Sequence, residues 1–398
     1  MCFLRVVNCV AGVRKGGKVK VPLLDLRFQL EGIRDEILKA IEDVVDSTRY
    51  IMGSNVSKLE EQIAEYCQTD YAIGVSSGTD ALLASLMALG VGNGDVVITT
   101  PYSFFATAGA IVRLSATPVF VDIDRKTFNL SPNSLDEWFR KNQKEVKKVK
   151  AVIAVHLFGQ CADMDRILEI AGRYGVPVIE DAAQAIGARY PSKSGVKKAG
   201  SMGIAGCFSF FPSKNLGCMG DGGMITTRDA SLADKIRRIR NHGAYPKYYH
   251  SIVGGNFRLD EIQAAILLVK LKKLEEWHKA RQKNAEYYNR KFENTLIETP
   301  SVAYDFDCHI FNQYVILVPE KRDELRKFLL ESGIGCEVYY PVPFHLQECF
   351  RYLGYKKGDF PISEFVAEHS LAIPVFPGLT EEQQNYVVDK ILEFFNRV

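Results

Sequence analysis

Between Tyr71 and Thr227 the chain alternates short apolar runs with stretches of helical periodicity, and few folds accept such a pattern. YAIGVSS, DVVITT, PVFVDID, AVIAVHLFG and VPVIEDAA are each too short and too uniformly apolar for amphipathic helices. They read as strands buried on both faces. GTDALLASLMAL and DMDRILEIAGRYG, placed between them, read as helices, the second closed by Gly175. Strand–helix alternation of this kind predicts a parallel, doubly wound α/β sheet. CFSFF and GGMITT extend the sheet, and the basic helix SLADKIRRIRNHG follows.

Outside this block, the spacing of Ile33, Ile37, Ile41 and Val44 predicts a helix over about residues 28–47, and residues 57–66 repeat the pattern. A long helix from Leu259 to about Phe292 bridges to a smaller α/β unit. That unit comprises QYVILVP, the helix KRDELRKFLLESG, a strand at CEVYY and a last helix whose Thr380 and Gln383 form a capping box. A chain of 398 residues has room for two or three units at about 100–200 residues each. The division expected is an ill-ordered extension over residues 1–18, a large unit over 19–275 and a small one over 276–398.

Charge narrows the function. With 50 Lys+Arg against 48 Asp+Glu there is no basic excess to draw the chain to nucleic acid or a membrane surface. No apolar stretch reaches the roughly 20 residues of a membrane span. Nine scattered cysteines without a CxxC pair fit a reducing, cytoplasmic compartment, and no metal site is expected. Any anionic ligand must therefore be met by local chemistry.

Three separated features share one theme. Ser76-Ser77-Gly78-Thr79-Asp80 lies at a strand-to-helix junction, where free amides and the helix dipole suit a phosphate. Val178-Ile179-Glu180-Asp181 ends a buried strand on carboxylates, which stay ionised only beside a cation such as a protonated ring nitrogen. Phe208-Ser209-Phe210-Phe211-Pro212-Ser213-Lys214 sets one lysine behind an aromatic run, where desolvation frees its lone pair for a carbonyl. Taken singly, each has a plain alternative: an ordinary helix cap, a strand-end acid, a solvated loop lysine. Phosphate, ring cation and aldehyde together describe pyridoxal 5′-phosphate.

With SSGTDAL, PYSFFATAGAI, VHLFGQCADMD, VIEDAAQAIGA, FSFFPSKNLGCMGDGG, RNHG, GGNFRLDEIQAAIL and LAIPVFPGLT in order, residues 20–398 resemble the DegT/DnrJ/EryC1/StrS sugar aminotransferases. The resemblance implies the PLP-dependent transferase fold type I, a large domain with a mostly parallel seven-stranded sheet flanked by helices plus a smaller C-terminal α/β domain. It implies that Lys214 carries the cofactor aldehyde and moves the proton, that Asp181 pairs with the pyridine nitrogen, and that Gln184 lies near the ring hydroxyl. Phe104, with Phe105 as its neighbour, resembles the aromatic that stacks on the ring. Gly78, Thr79 and Ser209 correspond to phosphate ligands, and Asn256 to an asparagine supplied by the second subunit of a homodimer. Arg258 and Asp260 orient and cap that turn.

Lys247 and His250 are candidates for the phosphates of a nucleotide sugar, and Tyr339 and Tyr340 for the sugar. Tyr339 stands where relatives often have histidine, and His345 reads as structural. The activity implied is transfer of an amino group, from L-glutamate, to a keto-sugar nucleotide for surface polysaccharide or glycoside synthesis, with pyridoxamine phosphate formed during turnover. The HGAYPKYYH and FFPSKNLGCMGDGG stretches resemble members that act on 3-keto hexoses or hexuronates carried by dTDP or UDP. A 4-keto-6-deoxy substrate is the alternative, and a non-catalytic PLP-binding regulator a distant one. Lys214 argues against the family's dehydratase branch, where histidine replaces the lysine.

Overall fold

The computed structural model describes residues 19–396, so the expectation for residues 1–18 lies outside the described residues. Its strands are β1 (Tyr71–Val75), β2 (Val96–Thr99), β3 (Thr117–Phe120), β4 (Val149–Val155), β5 (Val178–Asp181), β6 (Arg189–Ser192), β7 (Gly195–Lys198), β8 (Ala205–Ser209), β9 (Gly223–Thr227), β10 (Tyr314–Leu317) and β11 (Ser370–Ile373). Seven of them form one sheet in the order β1-β9-β8-β5-β4-β2-β3. Only β9 runs against its neighbours. These seven are the seven runs singled out in the sequence, and the mostly parallel α/β sheet expected is the one observed.

Alternation along the strands divides the sheet into two apolar faces. Val178, Val152, Ala154, Phe208 and Met224 face one core, with the helices Ser54–Cys67, Met164–Gly172 and Glu261–Leu271. Ile179, Ala151, Ile153, Cys207 and Ile225 face the other, under the helices Gly78–Ala88 and Ala230–Arg240. A separate core joins Ala285, Tyr288 and Phe292 to Tyr314, Ile316, Leu371 and Ile373 of the two-stranded β10–β11 sheet, and Val21 belongs to it.

Several expectations change in detail. The bridging helix is two helices, Glu261–Leu271 and Leu274–Phe292. The first packs into the core beneath the sheet (Ala264, Leu267) and the second into the separate core (Ala285, Tyr288), so the chain turns where its packing partner changes. The helix expected from Phe28 is a 3-10 turn, Phe28–Leu30, then the helix Arg34–Ser47, separated by Gly32 at φ 76°. CEVYY forms no ladder: Glu337 bridges Ala372 alone. Beyond it, the Tyr340 amide donates to the Tyr102 hydroxyl at 3.0 Å, and that hydroxyl donates to the Tyr339 carbonyl. A side chain thus replaces the sheet partner. The β6–β7 hairpin, in RYPSKSGVKK, was not anticipated. The capping box holds, with the Gln383 amide donating to Thr380 Oγ1 at 3.2 Å and the Thr380 amide to Gln383 Oε1 at 3.0 Å.

Candidate active site

The strand alternation decides which carboxylate of Glu180-Asp181 faces the site. Glu180 points to the face of Val178, where Gly200, Met202 and Gly203 amides donate to it at 2.8, 2.7 and 2.6 Å and His156 Nε2 lies 2.8 Å away. His156 Nδ1 accepts the Ala162 amide at 3.1 Å, so its proton sits on Nε2 and is donated to Glu180. That pair is a closed structural unit. Asp181 points the other way, on the face of Ile179, at the C-terminal end of β5 where parallel sheets bind ligands.

Asp181 is 5% exposed. The Thr107 hydroxyl donates to Asp181 Oδ2 at 2.7 Å, and the Ala183 amide to Oδ1 at 3.3 Å. Burial pushes its carboxyl above the usual range, while the Thr107 and Ala183 bonds and the charge of Lys214 pull it back. A buried acid so arranged is poised for a cationic partner. The Lys214 side-chain amine makes no hydrogen bond or ion pair among the described residues. The residue retains a partly open surface, yet enough protein surrounds its amine that burial brings it from 10.5 down to about 8, against the opposing charge of Asp181.

The turn at Gly78 and Ser209 is shaped by the sheet register. Val75 pairs with Gly223, and Gly223 with Ser209, so the ends of β1 and β8 flank the start of β9. A Cβ at Gly223 would lie 2.5 Å from the Ser77 carbonyl oxygen, and one at Gly78 would lie 2.7 Å from Ser209 Cβ. Glycine at both positions is what lets the helix start close onto Ser209. Ser77 Oγ accepts the Asp80 amide at 3.0 Å, and Ser76 Oγ donates to Asp80 Oδ2 at 2.7 Å. The cap therefore uses the Asp80 amide, and the amides of Gly78 and Thr79 take no protein acceptor among the described residues.

Phe104 and Phe105 part company. Phe105 stacks on Phe350 at 5.6 Å in a separate aromatic cluster, whereas Phe104 lies 6.3 Å from Tyr340. Gln184 Nε2 donates to Tyr340 Oη at 3.0 Å, and its Oε1 accepts the Phe158 amide at 2.6 Å. The structure thus joins Phe104, Tyr340 and Gln184 in one wall.

Comparison with known proteins agrees with this geometry. The DegT/DnrJ/EryC1/StrS aminotransferase family matches over residues 31–392. The chain belongs to that family.

Among relatives of this family member, a pleiotropic regulatory protein of Geobacillus stearothermophilus is 51% identical over 95% of this chain and 99% of its own. A UDP-N-acetyl-3-dehydro-α-D-glucosamine 3-aminotransferase of Acidithiobacillus ferrooxidans is 39% identical over 91% of this chain and 95% of its own. Of solved structures, S. venezuelae DesV in complex with a ketimine intermediate superposes with a TM-score of 0.89 at 38% identity, covering 95% of this chain and 99% of DesV. NtdA of Bacillus subtilis with bound cofactor PMP gives 0.85 at 29% identity, covering 96% and 87%.

Other DegT/DnrJ/EryC1/StrS motif residues are held by contacts of their own. Asn256 is exposed and bridges Asn241, while the Phe257 carbonyl accepts the Ser76 amide at 3.0 Å. Arg258 Nη1 donates to Asn241 Oδ1 at 2.8 Å, and Asp260, at the N-cap of Glu261–Leu271, makes no side-chain cap bond. Lys247 and His250 belong to an exposed turn in which Lys247 covers the Tyr248 ring at 4.9 Å and His250 Nδ1 lies 2.9 Å from the His242 carbonyl oxygen. Tyr339 lies beside Tyr340 at 5.8 Å. His345 is buried with Nε2 2.8 Å from Glu364. Thr107 and Tyr102 escaped the sequence reading. Thr107 lies in the first turn of the helix Ala106–Arg113, and its amide donates to the Phe104 carbonyl at 3.1 Å.

Proposed function

We propose that this protein is a PLP-dependent aminotransferase that moves an amino group from L-glutamate to a keto-sugar nucleotide. The observation that carries the reading is the buried Asp181 facing the same site as the unpartnered, base-strength-lowered amine of Lys214. The turn where two glycines meet Ser209 has no room for a side chain, and its free Gly78 and Thr79 amides suit a phosphate. These residues fit pyridoxal phosphate in charge and in shape, and the relative NtdA is solved with PMP.

When bound, the cofactor supplies an electron sink that lets a C–H bond next to nitrogen ionise. The chain supplies the rest. Gly78 and Thr79 amides and the Ser209 hydroxyl would hold the phosphate. Asp181, with the Thr107 and Ala183 bonds favouring its ionised form, would hold the proton of the ring nitrogen. Phe104 would cover one ring face, and Gln184, oriented by Phe158 and Tyr340, would meet the ring hydroxyl. Lys214 Nζ, nearer neutrality than an ordinary lysine, would take a proton from one carbon and return it to another.

The cofactor groups come from residues 19–275, and residues 276–398 contribute Tyr339 and Tyr340 to the sugar. Asn256, Lys247 and His250 serve the second active site of a homodimer, which accounts for the exposed Tyr245, Tyr248, Tyr249 and Val253 around them. The seven cysteines among the described residues are all free, which suits the cytoplasm. For the substrate we favour a 3-keto hexose or hexuronate on UDP or dTDP, as the name of the Acidithiobacillus relative suggests. The intact pair of Asp181 and Lys214, an acid for the ring nitrogen beside a base for proton transfer, argues for turnover rather than for a regulator that only binds the cofactor. The test is the glutamate-charged protein mixed with paired 3-keto and 4-keto nucleotide sugars. Faster amination of the 3-keto member of each pair is expected, and preference for the 4-keto sugars would move the assignment to C4.

A further inference from the structure

The loop that carries Lys214 is fastened by groups for which the chemistry above has no role. Asn215 is 2% exposed, donating from Nδ2 to the Ile310 carbonyl at 3.2 Å and accepting at Oδ1 from Asn312 Nδ2 at 2.8 Å. Asn312 is 3% exposed. Two residues further along, the Gly217 carbonyl accepts from buried Lys270 Nζ at 2.7 Å. A Cβ at Gly217 would meet the Pro212 carbonyl oxygen at 2.5 Å, so the loop is also closed on itself.

The far end of this clamp is the point where the chain passes between cores. Ile310 belongs to the core beneath the sheet and Phe311, the next residue, to the separate one. Phe311 holds φ 44°, and Arg281, fully buried, donates Nη1 to the Phe311 and Asn312 carbonyls at 3.1 and 3.2 Å. The buried amide pair ties one donor to one acceptor, with Asn312 Oδ1 left without a partner among the described residues, and it adds no charge to the site. It can therefore fix a backbone without altering the electrostatics that the backbone places.

We propose that Asn215 and Asn312 are positioning residues that lock the Lys214 backbone to the crossing between the two cores, and so set where the Lys214 amine stands relative to Asp181. The proposal rests on the role of Lys214 given above. Burial is what weakens Lys214 as a base. A loosened loop admits water, water favours the protonated nitrogen, and the midpoint of the bound-lysine chromophore moves to higher pH.

The experiment is a pH titration of the visible absorbance of the full-length, cofactor-loaded protein without substrate, comparing wild type with Asn312→Ala and Asn312→Leu. Leucine keeps roughly the size of Asn312, adds no charge and cannot donate to Asn215 Oδ1, so it serves if the alanine variant does not fold. The expected result is an upward shift of about half a pH unit or more in either variant. Cofactor affinity should change less than about threefold, since the turn at Gly78 and Ser209 is untouched. A midpoint that stays in place or falls, with only thermal stability lost, overturns the proposal and leaves the pair a structural contact. A wild-type protein with no visible band would instead overturn the cofactor reading itself, and a band with the same pH-independence in wild type and variants would overturn the proposal.

Discussion

Replacing Thr107 by Val tests how Asp181 is kept ionised. The Thr107 hydroxyl donates to Asp181 Oδ2 at 2.7 Å, and since it is committed as a donor, the Ser103 hydroxyl 3.0 Å away must donate to Thr107 Oγ1. All three residues are buried. A hydrogen bond to a charged group contributes about 1.5–3 kcal/mol. In the cofactor-free protein Asp181 can relax by taking a proton, whereas with the cation in place it must stay ionised, so the loss falls on the bound state. At about 1.4 kcal/mol per tenfold, cofactor affinity drops by up to about 10–100-fold. The effect grows toward acid, because burial already raises the Asp181 carboxyl and Thr107 opposes that rise. The assay is titration of cofactor-free protein with pyridoxal phosphate at several pH values. A Ser103→Ala, Thr107→Val double variant removes the stranded Ser103 hydroxyl as a cause. Affinity unchanged within about twofold at every pH would refute the claim that this hydroxyl sustains the charge on Asp181.

Gly78→Ala should lose phosphate binding and some stability, because the new Cβ would sit 2.7 Å from Ser209 Cβ and push the helix start away from Ser209; competition of inorganic phosphate with cofactor binding checks it, and an unchanged constant contradicts it. Lys214 is a base whose folded value lies below its ordinary one. Its contribution to stability is present above 10.5 and lost as pH falls through about 8. Cofactor-free Lys214→Met should therefore unfold at a higher temperature than wild type near neutrality, with the gap closing as pH rises, as differential scanning calorimetry would measure. A gap independent of pH would mean that the amine is solvated.

The sheet was legible because its strands are buried on both faces and announce themselves as uniform apolar runs; strand alternation then distinguishes Asp181 from Glu180 without further information. Lys214 and the Gly78 turn were legible through local chemistry. Thr107 and the Asn215–Asn312 pair were not, since hydrogen bonds across 74 and 97 residues leave no periodic trace. CEVYY misled because its β-branched and aromatic content fits a strand, while Tyr102, 238 residues away, takes the backbone amide of Tyr340. The break at residues 272–273 follows from a change of packing partner, which periodicity does not register. Lys247 and His250 have no partner in the Lys214 site, and their proposed role depends on a second copy of the chain.

The central claim is that Lys214 carries pyridoxal phosphate and turns over with an amino donor. Reduction of the purified protein with borohydride, followed by peptide mass spectrometry with and without prior exposure to L-glutamate, addresses it directly. A phosphopyridoxyl adduct on Lys214 alone is expected, lost when glutamate is added first and restored by a keto-sugar nucleotide. An adduct on another lysine, or one that glutamate leaves untouched, would contradict it.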